Sequence, residues 1–344
     1  MSELPETKPD VEPEEQTADV ASDGEAFRAP APETVAAPVA EPRVRKLDFV
    51  GRRNLFFALS LLIIVPGIVS MALRGFALGI DFAGGTELTV TFANHPSVAR
   101  VESVVDAENA HGSVIQTTGG GYIIRYPPLT QAQVNHFQDD LRSKLGSMKV
   151  NQILIVGGTI AGETILSSLL AIVIASVLIL LLLAWRFHNV PGGWRAGFQF
   201  GGSALLALLH DVFILAGIFS ILGRVFNLPI GEIDAFFVTA VLTVVGFSVH
   251  DTIVVFDRIR ENLRVSQRLS FEQVVNLSIM QTTARSIITS FTVVLVLAAI
   301  LIAAGPTLQG LALALMIGIV SGTYSSIFNA APLLVVWRKL QPLR

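Results

Sequence analysis

One carboxylate lies inside an apolar stretch that is long enough to cross a bilayer. From Ala235 the 344-residue chain reads AFFVTAVLTVVGFSVHDTIVVF and then changes to DRIRENLR, a break that marks a membrane surface. At a helical rise of about 1.5 Å per residue, Asp251 lies about 9 Å from that break. A carboxylate at this depth costs several kcal/mol unless it is neutral, paired or beside water, so Asp251 is a candidate functional residue.

Arg285 is the candidate partner of Asp251, because it directly precedes the next apolar stretch. Antiparallel helices would bring the two residues towards the same membrane surface. Burial favours a neutral aspartic acid, whereas a neighbouring guanidinium, which stays charged, favours the carboxylate. A helix movement that changed their separation would therefore couple conformation to proton binding. Two interpretations stay open, a proton relay formed by Asp251 and Arg285 or a static ion pair that fixes helix packing.

Three polar residues lie close to this pair in the sequence. Thr289 is one helical turn above Arg285 and Gln281 one turn below it, where either side chain could hold water. His250 directly precedes Asp251 and therefore points about 100° away from it on a helix. We expect these three residues to support the relay without a direct contact between His250 and the carboxylate.

His210 and Asp211 form a second polar site in the middle of another apolar stretch. They either extend a proton path or hydrogen-bond to a neighbouring helix and do no more. Asp211 and Asp251 could also supply the two aspartates of an intramembrane protease. Neither lies in a Gly-x-Gly-Asp setting, which argues against that enzyme class.

Six apolar stretches are long enough to carry these residues through a membrane. The chain is 52% hydrophobic and 15% charged, against about 25% charged residues in soluble domains. The first span is placed at residues 54–74, and five more follow within 160–337. We expect the first helix to be kinked at Pro66 and the last to be tilted or broken near Pro332. The five later spans are residues 164–185, 198–222, 235–256, 286–304 and 308–337.

Basic residues cluster before the first span and after the second, fourth and sixth spans. Such alternation assigns both termini, including the 338–344 tail, to the cytoplasm. Residues 1–46 begin with an acidic, Pro-rich segment whose few large apolar side chains predict disorder. The short segment 271–284 is predicted to be a separate amphipathic helix on the cytoplasmic face.

Residues 75–156 are polar enough to fold in water on the opposite side of the membrane. Alternating apolar residues predict strands and helical spacing predicts two helices, in the order β-α-β-β-α-β. That order is the ferredoxin-like α+β arrangement. The predicted fold class is thus a multi-pass α-helical membrane protein of six transmembrane helices, with this domain inserted between helices 1 and 2.

The sequence gives no sign of a cofactor or metal site. It contains no cysteine, which excludes disulfides and thiolate ligands, and no nucleotide-binding fingerprint precedes a helix. Nucleic-acid binding is not indicated either, because the basic residues flank the spans, where topology explains them. Pairs of glycines with x-x-x spacing, at 158/162, 197/201 and 318/322, predict close helix packing.

Three motifs make the chain similar to the SecF family, the smaller membrane subunit of bacterial SecDF protein-export complexes, within the resistance–nodulation–division superfamily. They are GIDFAGGTEL after the first span, VVGFSVHDTIVVFDRIREN across the fourth and NLSIMQTTARSIITS leading into the fifth. LLALLHDVFI and GTYSSIFNAAPLL also resemble that family. The position of His250 is often Asn in relatives, which leaves the role of this side chain open.

The resemblance implies that Asp251 and Arg285 take part in proton transport. It also implies a heterodimer with SecD in the bacterial inner membrane, which works with the SecYEG channel on unfolded translocating polypeptide. Protons, or sodium in some relatives, would drive that work. Two alternatives remain: a non-conducting subunit that stabilises SecD or the channel, and a stand-alone transporter of related fold. None of these roles is that of an enzyme.

Overall fold

The computed structural model describes residues 48–107, 113–116, 120–266 and 268–342. Within these ranges, six helices have the length and composition needed to cross a membrane. The acidic tail and the basic residues before Asp48 lie outside the described residues, so the predictions about them stay predictions. The six helices are α1 (Arg53–Arg74), α5 (Gly158–Arg186), α6 (Gly193–Ser220), α7 (Ala235–Val265), α8 (Phe271–Ala303) and a sixth formed by α9 (Pro306–Ser325) and α10 (Ala331–Leu340).

The surface of this helix bundle is apolar, as a lipid environment requires. The most hydrophobic part of α5 contains no buried residue, and Leu166, Leu170 and Leu178 of that helix are 51–60% exposed. In contrast, α6, α7 and the last helix lie at the centre, with about half of their most hydrophobic segments buried. These three central helices therefore position the candidate site.

Glycines allow the central helices to approach closely. A Cβ added to Gly318 of α9 would lie 2.2 Å from the side chain of Val244 of α7, and one added to Gly197 of α6 would lie 2.2 Å from the carbonyl of Ala184 of α5. These contacts confirm the close packing predicted for two of the glycine pairs. The third pair differs, because a Cβ on Gly162 would meet nothing within 4 Å.

Helix α8 corrects one prediction about the elements. The segment 271–284 is not a separate surface helix but the first part of a continuous 33-residue helix. The segment is amphipathic as predicted, since Val274, Val275 and Ile279 on one side of it are buried and Phe271 on the same side is half-buried. Ser270 and Gln273 form a capping box that fixes the start of α8, and such caps satisfy backbone donors that a helix start leaves free.

The last helix is interrupted by a π-helical turn at Ser326–Ala330, which ends two residues before Pro332. This turn confirms the expected irregularity near that proline. A π-helical turn changes the direction of the side chains that follow and is frequent at functional sites. Here it begins at buried Ser326 and follows buried Ser325.

The inserted domain has the predicted ferredoxin-like topology. Its four strands are antiparallel in the order β2-β3-β1-β4, and buried Leu88, Val90, Tyr122 and Leu141 are part of its core. Thr130 and Gln133 cap the second helix of the repeat. The elements are β1 (Gly85–Phe92), α3 (Val98–Ala107), β2 (Ser113–Gln116), β3 (Gly121–Tyr126), α4 (Gln131–Leu145) and β4 (Met148–Val156), preceded by the short α2 (Ile80–Ala83).

The domain lies against the first residues of α7. Leu78 forms a parallel bridge with Ile233, and the Asp81 carboxylate accepts a hydrogen bond from the Ala235 N–H at 3.0 Å. The end of the bundle next to this domain is called the domain end below, and the other end the opposite end. Helix α7 therefore links the domain directly to the membrane interior.

Candidate functional site

Asp251 is buried at the junction of three helices. It lies on α7 with 7% of its surface exposed. Ser286 of α8 donates a hydrogen bond to Oδ1 at 2.5 Å, and Ser326 of the π-helical turn donates to Oδ2 at 2.5 Å. The carboxyl group thus accepts hydrogen bonds from two other helices, so a change in its protonation would alter its contacts with both helices.

Arg285 does not pair with Asp251, although it neighbours the serine that does. The arginine is exposed on α8, and the described residues hold no ion pair between the two side chains. The cause is helical geometry. Adjacent residues point about 100° apart, so that Ser286 faces the centre of the bundle while Arg285 faces outwards. The static ion pair, one of the two interpretations left open, is therefore absent from the described structure.

Arg285 instead borders a polar cleft of about 670 Å³ between α7 and α8 at the opposite end. Within the cleft, the side-chain oxygen Oε1 of Gln281 accepts hydrogen bonds from the side chains of Arg258 at 2.5 Å and Asn262 at 2.9 Å. The cleft reaches Val254, about one turn from Asp251. Its lining is Val254, Asp257, Arg258, Arg260, Glu261, Arg264, Val265, Gln281, Thr282 and Arg285.

The two other supporting residues face away from Asp251. Thr289 is exposed, and its hydroxyl donates to the Arg285 carbonyl of its own helix at 2.9 Å. His250 is exposed on the outer face of α7. The structure therefore brings neither side chain to the carboxylate.

Asp211 is fully buried and saturated with hydrogen bonds. Its Oδ1 accepts from Ser321 at 2.7 Å and lies 3.0 Å from His210 Nδ1. Its Oδ2 accepts from Ser248 at 2.7 Å and Ser325 at 2.6 Å. The donors come from α6, α7 and α9, so Asp211 joins the three central helices.

Sequence reasoning missed the serines that hold both aspartates. Ser248 lies one turn before Asp251, and Ser286 directly follows Arg285. Ser325 and Ser326 fall in the GTYSSIF segment of the last helix, and Ser321 directly precedes it. The signal available was the density of hydroxyl residues in otherwise apolar helices, since hydroxyls often form hydrogen bonds between membrane helices.

An ion cluster connects the domain to the start of α7. Arg125 of β3 lies 2.7 Å from Glu87 of β1 and also pairs with Glu232. Burial raises the pKa of Glu232, although Arg125 opposes this effect. Burial also raises the pKa of Asp234, even though its carboxylate accepts a hydrogen bond from the Phe237 N–H at 2.8 Å. Glu232 and Asp234 therefore hold a proton to higher pH than they would in water.

Two family descriptions match most of the chain. Residues 136–340 match "Protein export membrane protein SecD/SecF, C-terminal", and residues 69–94 match the "SecD/SecF GG Motif". A protein translocase subunit SecF from Thermobaculum terrenum is 42% identical over 311 residues, which cover 87% of this chain and 96% of that protein.

This chain belongs to the SecF family.

Other SecF-family proteins and solved structures agree. The SecF subunit of Haemophilus influenzae is 33% identical over 82% of this chain and 83% of its own. A crystal structure of SecDF from Thermus thermophilus, described as a translocon-associated membrane protein, superposes with a TM-score of 0.74 and 31% identity. The match covers 86% of this chain but only 39% of that SecDF chain.

The family's GG motif has a clear physical basis in this SecF-family chain. Gly84 and Gly85 join α2 to β1 with φ angles of 71° and 154°, which favour glycine. A Cβ on Gly85 would also lie 3.0 Å from the Tyr126 carbonyl. The motif therefore lets β1 begin directly after α2, whose Asp81 accepts a hydrogen bond from the first residue of α7.

Proposed function

We propose that this chain is the SecF subunit of a SecD–SecF complex that uses the proton motive force to promote protein translocation through the Sec channel, here called SecYEG. The relatives named protein translocase subunit SecF support the export role. The likeness to part of a SecDF chain supports a SecD partner. On this proposal the termini lie in the cytoplasm and the α+β domain on the exported side of the bacterial inner membrane.

The buried Asp251 carries the proposal for ion coupling. It is a carboxyl group within an apolar helix, hydrogen-bonded to two other helices and one turn from a polar cleft. Carboxylates in such positions mark ion pathways. The cleft offers a route by which water and protons, or sodium ions, reach Asp251 from the opposite end. Moving one charge across the membrane releases about 2.3 kcal/mol per 100 mV.

Arg285 has a conformational role in this scheme. Ser286 and Arg285 are adjacent on α8, so a rotation of that helix by about 100° would replace the hydroxyl by the guanidinium at Asp251. The hydroxyl accommodates either form of the acid, whereas the guanidinium favours the carboxylate. Proton release from Asp251 would thus be coupled to the rotation of α8. In this scheme Gln281 stabilises the cleft through its hydrogen bonds to α7, and Thr289 moves with α8, to whose backbone it is bonded.

The exposed face of α7 supports the need for a membrane partner. Thr239, Thr243, Gly246 and His250 are all exposed at helical spacing along it. An imidazole that faces lipid is costly, and small residues allow a second helix to approach closely. A helix of SecD would cover this face on the proposed assembly.

The test uses the purified complex with SecD and SecYEG in proteoliposomes. Asp251→Asn should lower the part of preprotein translocation that depends on an imposed proton gradient by about tenfold or more, while SecD still co-purifies. Glu163→Gln is the matched control, because this exposed carboxylate at the start of α5 lies outside the site. Normal gradient-driven export by Asp251→Asn would overturn the relay. A lower yield of complex with unchanged activity per complex would instead support a structural subunit.

A further inference from the structure

A buried nitrogen beside Asp211 has no hydrogen-bond partner. His210 has 9% of its side chain exposed, and its Nδ1 lies 3.0 Å from Asp211 Oδ1. Beside an ionised carboxylate this contact needs a proton on Nδ1, which leaves Nε2 of a neutral imidazole as a bare acceptor. Within the described ranges Nε2 is buried without a partner. A buried polar atom left unpaired is costly and calls for an explanation.

The charge balance at this position points to an additional proton. Asp211 is 0% exposed, and His210 is the basic side chain that contacts it in the described structure. With a neutral imidazole the pair carries one net negative charge in the membrane interior. A proton on Nε2 makes the pair neutral overall, and an uncompensated charge in the membrane is expensive.

The serines decide where that proton resides. Ser248, Ser321 and Ser325 all donate to the Asp211 carboxylate. Hydrogen bonds to a charged acceptor stabilise its ionised form. A single hydroxyl can serve either form of an acid, but three hydroxyls and the imidazole together favour the carboxylate, so that Nε2 of His210 is the acceptor that remains open.

We propose that His210 and Asp211 together bind one exchangeable proton, held on Nε2 of His210, at a second intramembrane site separate from Asp251. Binding forms one N–H bond with a proton taken from water, and release returns it. The inference goes beyond the role proposed for Asp251 and requires no transport. If the two sites lie on one proton path, the second site also takes part in the transport proposed for Asp251.

Few ionisable groups surround this second site. From the last helix, the Tyr324 ring lies nearly parallel to the imidazole, with 6.1 Å between the ring centroids, and its hydroxyl donates to the Phe56 carbonyl of α1 at 2.8 Å. From α7, Ser248 contacts Asp211, and Asp251 lies one turn further along that helix. Helix α1 adds the Ser60 hydroxyl, 3.4 Å from the Tyr324 hydroxyl. In this part of the structure, no arginine or lysine competes with His210 for Asp211.

Nitrogen NMR of the full chain tests the proposal directly. The chain, with ¹⁵N-labelled histidines and in lipid bilayers with its partner, would be measured from about pH 5 to about pH 9. His210→Gln identifies the His210 signals by their loss, and His250→Gln identifies those of an exposed histidine on α7. We expect His210 Nε2 to carry a proton at the acidic end of the series and to be bare at the alkaline end.

Two further samples separate this site from the role of Asp251. Asp211→Asn should lower the protonated fraction of His210 at a given pH by about tenfold or more, because the compensating charge is gone. Asp251→Asn should leave His210 protonation in place, whether or not that variant transports protons. A bare Nε2 throughout the series in the unmodified chain, or a proton on it that Asp211→Asn does not alter, would overturn the proposal.

Discussion

Asp211 and Asp251 are two buried aspartates of one helix bundle, but their surroundings differ. Asp211 is fully buried and receives three hydroxyl donors and an imidazole. Asp251 is 7% exposed, receives two hydroxyls and lies one turn from a polar cleft. Since Ser248 contacts Asp211 from one turn before Asp251, Asp211 lies about 5 Å nearer the domain end.

This difference separates two tasks that one kind of side chain can perform. A carboxylate whose lone pairs are all satisfied resists protonation and holds helices in place. A carboxylate with fewer donors and access to water can exchange its proton with less disruption. The start of the π-helical turn links the two sites, because Ser325, which precedes the turn, donates to Asp211 and Ser326, its first residue, donates to Asp251.

The largest expected effect is on stability when each carboxylate is replaced by an apolar side chain. Asp211→Leu removes the acceptor of four donors, of which Ser325 keeps the Gly322 carbonyl at 3.1 Å. We expect a loss of about 2–5 kcal/mol in the free energy of unfolding. Asp251→Leu removes the acceptor of two donors, of which Ser326 keeps the Thr323 carbonyl at 3.1 Å, and we expect a loss of about 1–2 kcal/mol. Thermal unfolding in lipid nanodiscs, followed by tryptophan fluorescence, measures the difference.

The asparagine variants serve as controls for this comparison. Asparagine keeps one acceptor oxygen and nearly the same shape, so that each Asn variant should be more stable than its Leu counterpart. Equal losses for the two Leu variants would show that donor number does not distinguish the two sites.

The next effect concerns the contact on which both aspartates depend. Gly318→Ala would place a methyl group 2.2 Å from Val244 and push α9 away from α7. We expect a loss of about 1–3 kcal/mol from overpacking, measured in the same unfolding assay. Gly162→Ala is the control, since its methyl group would meet nothing within 4 Å. An unchanged free energy of unfolding for Gly318→Ala would show that α7 and α9 can move apart without loss of stability.

Local patterns predicted the elements of the fold well because periodicity and turn residues act locally. The alternation in ELTVTF and the capping Thr130 predict β1 and α4, which the structure contains. The predicted division of α8 is wrong because the polar residues Gln281, Thr282 and Thr283 separate two apolar runs of one continuous helix. In the structure, both threonine hydroxyls donate to carbonyls of their own helix, so polarity here does not end the helix.

The candidate site was only partly predictable, since its contacts cross between distant helices. Asp251 and Asp211 stand out as acids in apolar stretches. Ser326 does not, because membrane serines often bond to their own backbone, as Ser176 does with Ile172. Which neighbour of a pair faces inward, Arg285 or Ser286, depends on the rotation of α8, and that rotation is set by packing.

The smallest effect sharpens the comparison with a third carboxylate, Glu232, which is paired with an arginine at the domain end. Because burial raises the pKa of Glu232, the folded chain binds more protons than the unfolded chain between the ordinary and the raised pKa. Stability therefore falls as pH rises through that window.

Glu232→Gln should remove this part of the pH dependence. It should change the free energy of unfolding by less than about 1 kcal/mol, because Arg125 keeps its pairing with Glu87. Unfolding of the full chain from about pH 4 to about pH 8 measures it, with the exposed Asp139→Asn as a control that leaves the dependence intact. A loss as large as that of Asp211→Leu would show that an arginine pair at the domain end holds the protein together as strongly as hydroxyl donors do in the membrane.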